Sequence, residues 1–149
     1  MTYKDLPDDW PTRSLDDAAI ARDVIDLVVS DSDRSRAGIA VLLCNGSGRL
    51  VQPVIVHDAT PAEDLREDLR VLRTVVLGET PHGHHGVLVP AVLLALIRPA
   101  GPVDDVDRAW HQRAIEVCGG KGVRLLGVHL VTRFRVWTLP GPGSAVRVA

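Results

Sequence analysis

Few side chains in this sequence are placed to do chemistry. Within Glu79–Gly86 (ETPHGHHG), His82, His84 and His85 crowd together, and three imidazoles could hold zinc or nickel. Neighbouring histidines on a short loop do not readily turn toward one ion, and Glu79 is the sole carboxylate beside them. The segment therefore reads as an exposed loop, with these three as weak metal candidates. Asp107 and His111 stand four apart, on one face of a helix, so His111 is a candidate base beside a carboxylate. No nucleophile accompanies the pair, and His111 reads as a surface or boundary histidine. Arg98 ends an apolar run shortly before Asp107. Gly119-Gly120-Lys121-Gly122 has the look of a phosphate loop but follows a helix instead of opening one, where the backbone dipole has the wrong sign. His129 lies in an apolar strand as an inner or sheet-face residue, and His57 has no evident partner. Cys44 and Cys118 sit in apolar segments and read as reduced core thiols, not a disulfide framework.

The elements that must position these groups follow from patterning. Ser14 is a helix cap, and Ile20, Val24, Leu27 and Val28 recur at helical spacing, giving an amphipathic helix over Leu15–Val29 with Asp16, Asp23 and Asp26 on a solvated face. Ser30–Ala37 is polar and ends it. Gly38–Cys44 and Arg49–His57 are strands joined by Asn45-Gly46-Ser47-Gly48, a turn whose residues tolerate positive φ, so they form an antiparallel hairpin. Pro53 cannot donate a ladder bond and puts the second strand at an edge or bulge. Thr60-Pro61 with Glu63 opens a helix that Gly78 closes, buried through Leu65, Leu69, Leu72 and Val76. Val87–Ile97 is wholly apolar, as for a central strand covered on both faces. Asp104, with Asp107 three residues on, caps a helix whose inner face is Val106, Trp110, Ala114 and Val117. Gly119-Gly120 stops it. Val123–Val131 is a core strand in which Gly127 suggests a bulge or close backbone approach. Thr132–Arg135 turns into a short last strand, Val136–Leu139. The expected fold is α/β, one domain with a mixed sheet and flanking helices in the order α-β-β-α-β-α-β-β. It comprises an irregular arm (1–13) anchored by Trp10, the domain proper (14–139) and a C-terminal tail (140–149).

At 149 residues one domain is expected, large enough to need no staples. A net charge of −2 and few aromatics argue against nucleic acid as a partner. No run reaches the length of about 20 apolar residues that spans a bilayer, and the polar N-terminus does not resemble a secretion signal, so a cytoplasmic protein with no membrane partner is expected. Of the 17 basic residues only Lys4 and Lys121 are lysines, a bias like that of bacterial genomes rich in G and C.

The stretch from Leu96 to His129, and more loosely residues 38–139, resembles the RadC-type branch of the JAB/MPN metallopeptidase-like domains. There an apolar strand ends in His-x-His-Pro-Ser-Gly, followed by a linker, a Ser-x-x-Asp helix start, a helix, a glycine and another apolar strand. Here the strand ends Leu96-Ile97-Arg98-Pro99-Ala100-Gly101, the helix opens Asp104-Asp105-Val106-Asp107, and Gly122 leads into Leu125–Val131. The resemblance puts the two zinc-binding histidines on Leu96 and Arg98, the serine on Asp104 and the aspartate ligand on Asp107. Leucine has no donor atom and arginine stays protonated, whereas a zinc hydrolase needs three protein ligands and an open position. It implies a degenerate, non-catalytic domain with no cofactor, acting through a protein partner or a small ligand. A separate reading is a self-associating structural domain, a homodimer pairing through the Pro53 strand or its helices. The alternative is a cryptic hydrolase or nucleic-acid enzyme using Asp107, His111 and the His82–His85 loop. Two readings of Arg98 stand side by side: it reaches Asp107 as a cation in place of the metal, or Asp107 only completes the helix cap and Arg98 points to water.

Overall fold

A computed structural model describes residues 4, 6–57, 79–80, 83–84, 89–120 and 122–139, with only the backbone at 79–80 and 83–84. Helices α1 (Ala18–Val28) and α2 (Asp31–Arg34) precede strands β1 (Gly38–Cys44) and β2 (Leu50–His57). Two short strands, β3 (Glu79–Thr80) and β4 (Gly83–His84), pair with each other. Then come β5 (Ala91–Ile97), α3 (Asp105–Gly119), β6 (Arg124–Val131) and β7 (Val136–Thr138).

Five strands form one mixed sheet in the order β2-β1-β5-β6-β7, parallel between β5 and β6 and antiparallel elsewhere. A parallel neighbour requires a crossover, and α3 supplies it. All seven residues of β5 are buried because the sheet is covered on both faces. Val92, Leu94 and Leu96 pack with Trp110, Ala114 and Val117 of α3. Leu93, Ala95 and Ile97 pack with Leu15, Ala21, Val24 and Ile25 on the α1 side. Truncating one of these leucines to alanine costs about 2–5 kcal/mol. β2 is an edge strand among the described residues, and Pro53 sits opposite Leu42 with its missing N–H costing the β1 ladder nothing visible in the register. The register slips between Val92 and Leu93 on β5, where Leu126 of β6 is skipped, so Gly127 follows a bulge. A Cβ there would lie 3.4 Å from His129 Nε2.

Several expectations change. The cap of α1 is Asp17, which accepts from the backbone N–H groups of Ala19 and Ile20. Ser14 instead braces the preceding turn and meets the hairpin: a Cβ on Gly48 (φ 84°) would come within 2.3 Å of its Oγ. The buried stripe of α1 is rotated, with Ala21 and Ile25 inside and Leu27 40% exposed. Its acidic face is not simply solvated: Asp23 is buried, and Asp26 accepts from Arg34 at 2.8 Å. The polar segment after α1 folds into α2 because Ser30 and Asp33 close a capping box. In α3, Val106 turns outward and Asp107 inward. The loop expected at Glu79–Gly86 contains the β3–β4 pair. The N-terminal arm is seated through Leu6 and Trp10, which pack against the α1-side core. The expected Thr60–Gly78 helix and the 140–149 tail lie outside the described residues.

Candidate functional site

The C-terminal end of β5 and the N-terminal end of α3 meet at Arg98. Its backbone N–H donates to Val131 O of β6 at 3.0 Å, which fixes where the side chain starts. The guanidinium then gathers acceptors from the loop ahead. Nε donates to Ala100 O at 2.9 Å, Nη2 to Pro102 O, and Nη1 to Asp107 Oδ1 at 2.8 Å, with Asp104 Oδ2 at 3.2 Å. Only a planar fork of five donors can collect acceptors spread this widely.

Asp107 carries both roles that the sequence left as alternatives, one on each oxygen. Oδ1 takes Arg98, and Oδ2 accepts from the Asp104 backbone N–H at 2.8 Å. Asp104 Oδ1 returns the bond to the Asp107 N–H at 3.0 Å, completing the capping box. The Asp107 side chain is 1% exposed. That burial pushes its carboxyl above the ordinary aspartate value, against the pull of the Asp104 N–H and of Arg98. Asp104, nearer solvent, is held below its ordinary value by the Asp107 N–H and by Arg98. Leu96 lies fully inside the α3-side core.

His111, read from the sequence as a surface or boundary residue, is 9% exposed. It lines a cleft of about 450 Å³ with His129, Cys118, Gly127 and Thr138, which Asp107 does not line. The cleft opens beside residues 124–127 of β6, which the short β7 does not cover. There α3 and the start of α1 reach round the sheet edge toward each other. His129 Nδ1 lies 3.3 Å from Thr138 Oγ1. Burial, helped by the nearby Arg22 and His111, drives its pKa down to about 4, so the ring is neutral at pH 7. Cys118 is a thiol whose pKa burial raises to about 11 and is no nucleophile at neutral pH.

His82 and His85 lie outside the described residues, and only the backbone of His84 is described. Among the described residues no group of three or more His, Cys, Asp or Glu side chains is placed to hold a metal ion. The trio of Leu96, Arg98 and Asp107 does not fit zinc: one position is aliphatic and the second is a cation already bonded to the third. Two further contacts have no signature in the sequence. His57 Nε2 meets Asp33 Oδ1 at 2.7 Å, and although burial opposes it, the bonds from His57 and Ser30 hold Asp33 below its ordinary pKa. Arg34 is buried, donating to Asp26, to Val29 O and to Thr132 O. The His57–Asp33 and Arg34–Thr132 contacts join residues far apart in the chain, so no local pattern marks them.

No protein-family model, curated protein or solved structure matches this chain. Among the described residues no helix is long and apolar enough to cross a membrane.

Proposed function

We propose that this is a metal-free, non-catalytic domain of JAB/MPN-like type that works by binding, with a small ligand favoured over a protein partner. The observation that carries the reading is the Arg98 guanidinium seated 2.8 Å from Asp107, with loop carbonyls drawn around it. In the family's arrangement a zinc ion would draw the same carboxylate. Here a side chain supplies the positive charge, and a guanidinium, unlike zinc, cannot ligate and activate a water. A small ligand is favoured because the described surface holds two clefts, of about 450 and 870 Å³, within the size range of ligand pockets.

The test is elemental analysis of purified protein with a zinc titration, alongside the Leu96→His/Arg98→His double variant. The wild type is expected to take up no stoichiometric zinc and the double variant to gain zinc affinity. Stoichiometric zinc in the wild type, or metal-dependent peptide cleavage, overturns the reading. Two histidines facing one cleft favour a cryptic hydrolase as a second reading, and loss of a measured hydrolytic activity in His111→Ala would establish it. Self-association through the outer edge of β2 is read separately by sedimentation.

A further inference from the structure

The larger cleft, of about 870 Å³, lies between helices α1 and α2 on one side and the turn Thr132–Arg135 with β7 on the other. The turn is held rigidly. Thr132 is buried, its Oγ1 accepts from the N–H groups of Phe134 and Arg135 at 3.3 Å, and its N–H donates to Arg135 O at 3.0 Å. Arg34 donates to Thr132 O from across the cleft, and the Arg133 N–H donates to Pro99 O at 3.2 Å, in the loop that Arg98 organises.

This fixed turn presents three consecutive side chains with unmet chemistry. The Phe134 ring is 86% exposed, the furthest out of the large apolar side chains among the described residues. Arg133 and Arg135 flank it, and among the described residues neither has a carboxylate within ion-pair distance. Arg135 is set in place by stacking 4.6 Å over the Trp137 ring. All three line the cleft. Two uncompensated guanidinium forks suit a phosphate group, and an exposed ring carried on a hydrogen-bonded turn suits a stacked base. The opposite wall carries Asp23, Asp26 and Asp31 alongside Arg22 and Arg34; Arg34 engages Asp26 at 2.8 Å, and the exposed Asp31 offers an acceptor for sugar hydroxyls.

The geometry points to a nucleoside monophosphate site in this cleft, with Arg133 and Arg135 on the phosphate and Phe134 against the base. A single strand is disfavoured because it needs a series of stacking platforms and a basic track, whereas this chain has a net charge of −2 and one far-exposed ring.

The inference rests on the domain being a binding module. The zinc and cleavage assays test that premise, and the titration below tests only this cleft. AMP, adenosine and inorganic phosphate are titrated calorimetrically into wild type, Arg133→Ala and Phe134→Ser. Both substitutions are at exposed positions, and circular dichroism checks that each variant is folded. AMP is expected to bind more tightly than adenosine or phosphate, and to weaken about tenfold in each variant, or about 1.4 kcal/mol. No heat with millimolar AMP overturns the inference. So does phosphate binding as tightly as AMP, AMP affinity unchanged in the variants, or a single-stranded oligonucleotide binding far more tightly than AMP.

Discussion

Lowering the pH should destabilise this protein well before its ordinary carboxylates titrate, and His129 is the reason. In the unfolded chain its imidazole takes a proton near pH 6.5, while in the fold burial and the neighbouring Arg22 and His111 hold it off until about pH 4. Between those values the unfolded state binds a proton that the folded state refuses. Stability is therefore complete above pH 6.5 and falls as the pH drops toward 4. At about 1.4 kcal/mol per pH unit, that gap amounts to roughly 3 kcal/mol. This is a large part of the roughly 5–15 kcal/mol that holds a domain of this kind together. Asp107 works in the opposite sense, since its raised carboxyl lets the fold accept that proton first. The clean measurement is therefore a difference between proteins. His129→Asn keeps an acceptor near Thr138 Oγ1 and removes the titration. Urea unfolding at pH 7 and at pH 4.5 should show the wild type losing about 2–3 kcal/mol more than the variant. Equal losses in the two proteins, or an NMR titration of the His129 ring centred near 6.5, would refute the reasoning.

Arg98→Ala should cost about 3–5 kcal/mol in urea unfolding, because it strands the buried Asp107 carboxylate. Arg98→Lys should recover only part of this, since an ammonium cannot fork to Ala100 O, Pro102 O and Asp107 together. Cys44 and Cys118, both buried with pKa values raised to about 11, should stay unreactive toward a thiol reagent at pH 8 until denaturant is added. Rapid labelling of the native protein would contradict their placement. Gly48→Ala should lower stability by about 1 kcal/mol or more, read from the thermal midpoint, because φ is 84° there and the new Cβ would strike Ser14 Oγ.

By itself the sequence determined what local periodicity and local chemistry determine. The unbroken apolar run required a central strand, and β5 is one. The Asn45–Gly48 turn required a hairpin, Pro53 marked its outer strand, and Asp104 with Asp107 opened α3. These are decided within a few residues, by backbone sterics and by hydrogen bonds between near neighbours. Helix phase was less legible: Leu27 and Val106 match the apolar spacing as well as Ile25 or Trp110 does, yet they face outward because the sheet covers only one side of each helix. The site was legible only in part. Spacing could bring Arg98 near Asp107, but only the folded loop decided that one oxygen takes the guanidinium while the other caps the helix. The meeting of His111 with His129, the seating of Arg34 beneath Thr132, and the contact of His57 with Asp33 depend on strand order and on how far β7 extends. Those are settled by the packing of distant segments, which leaves no periodic trace along the chain.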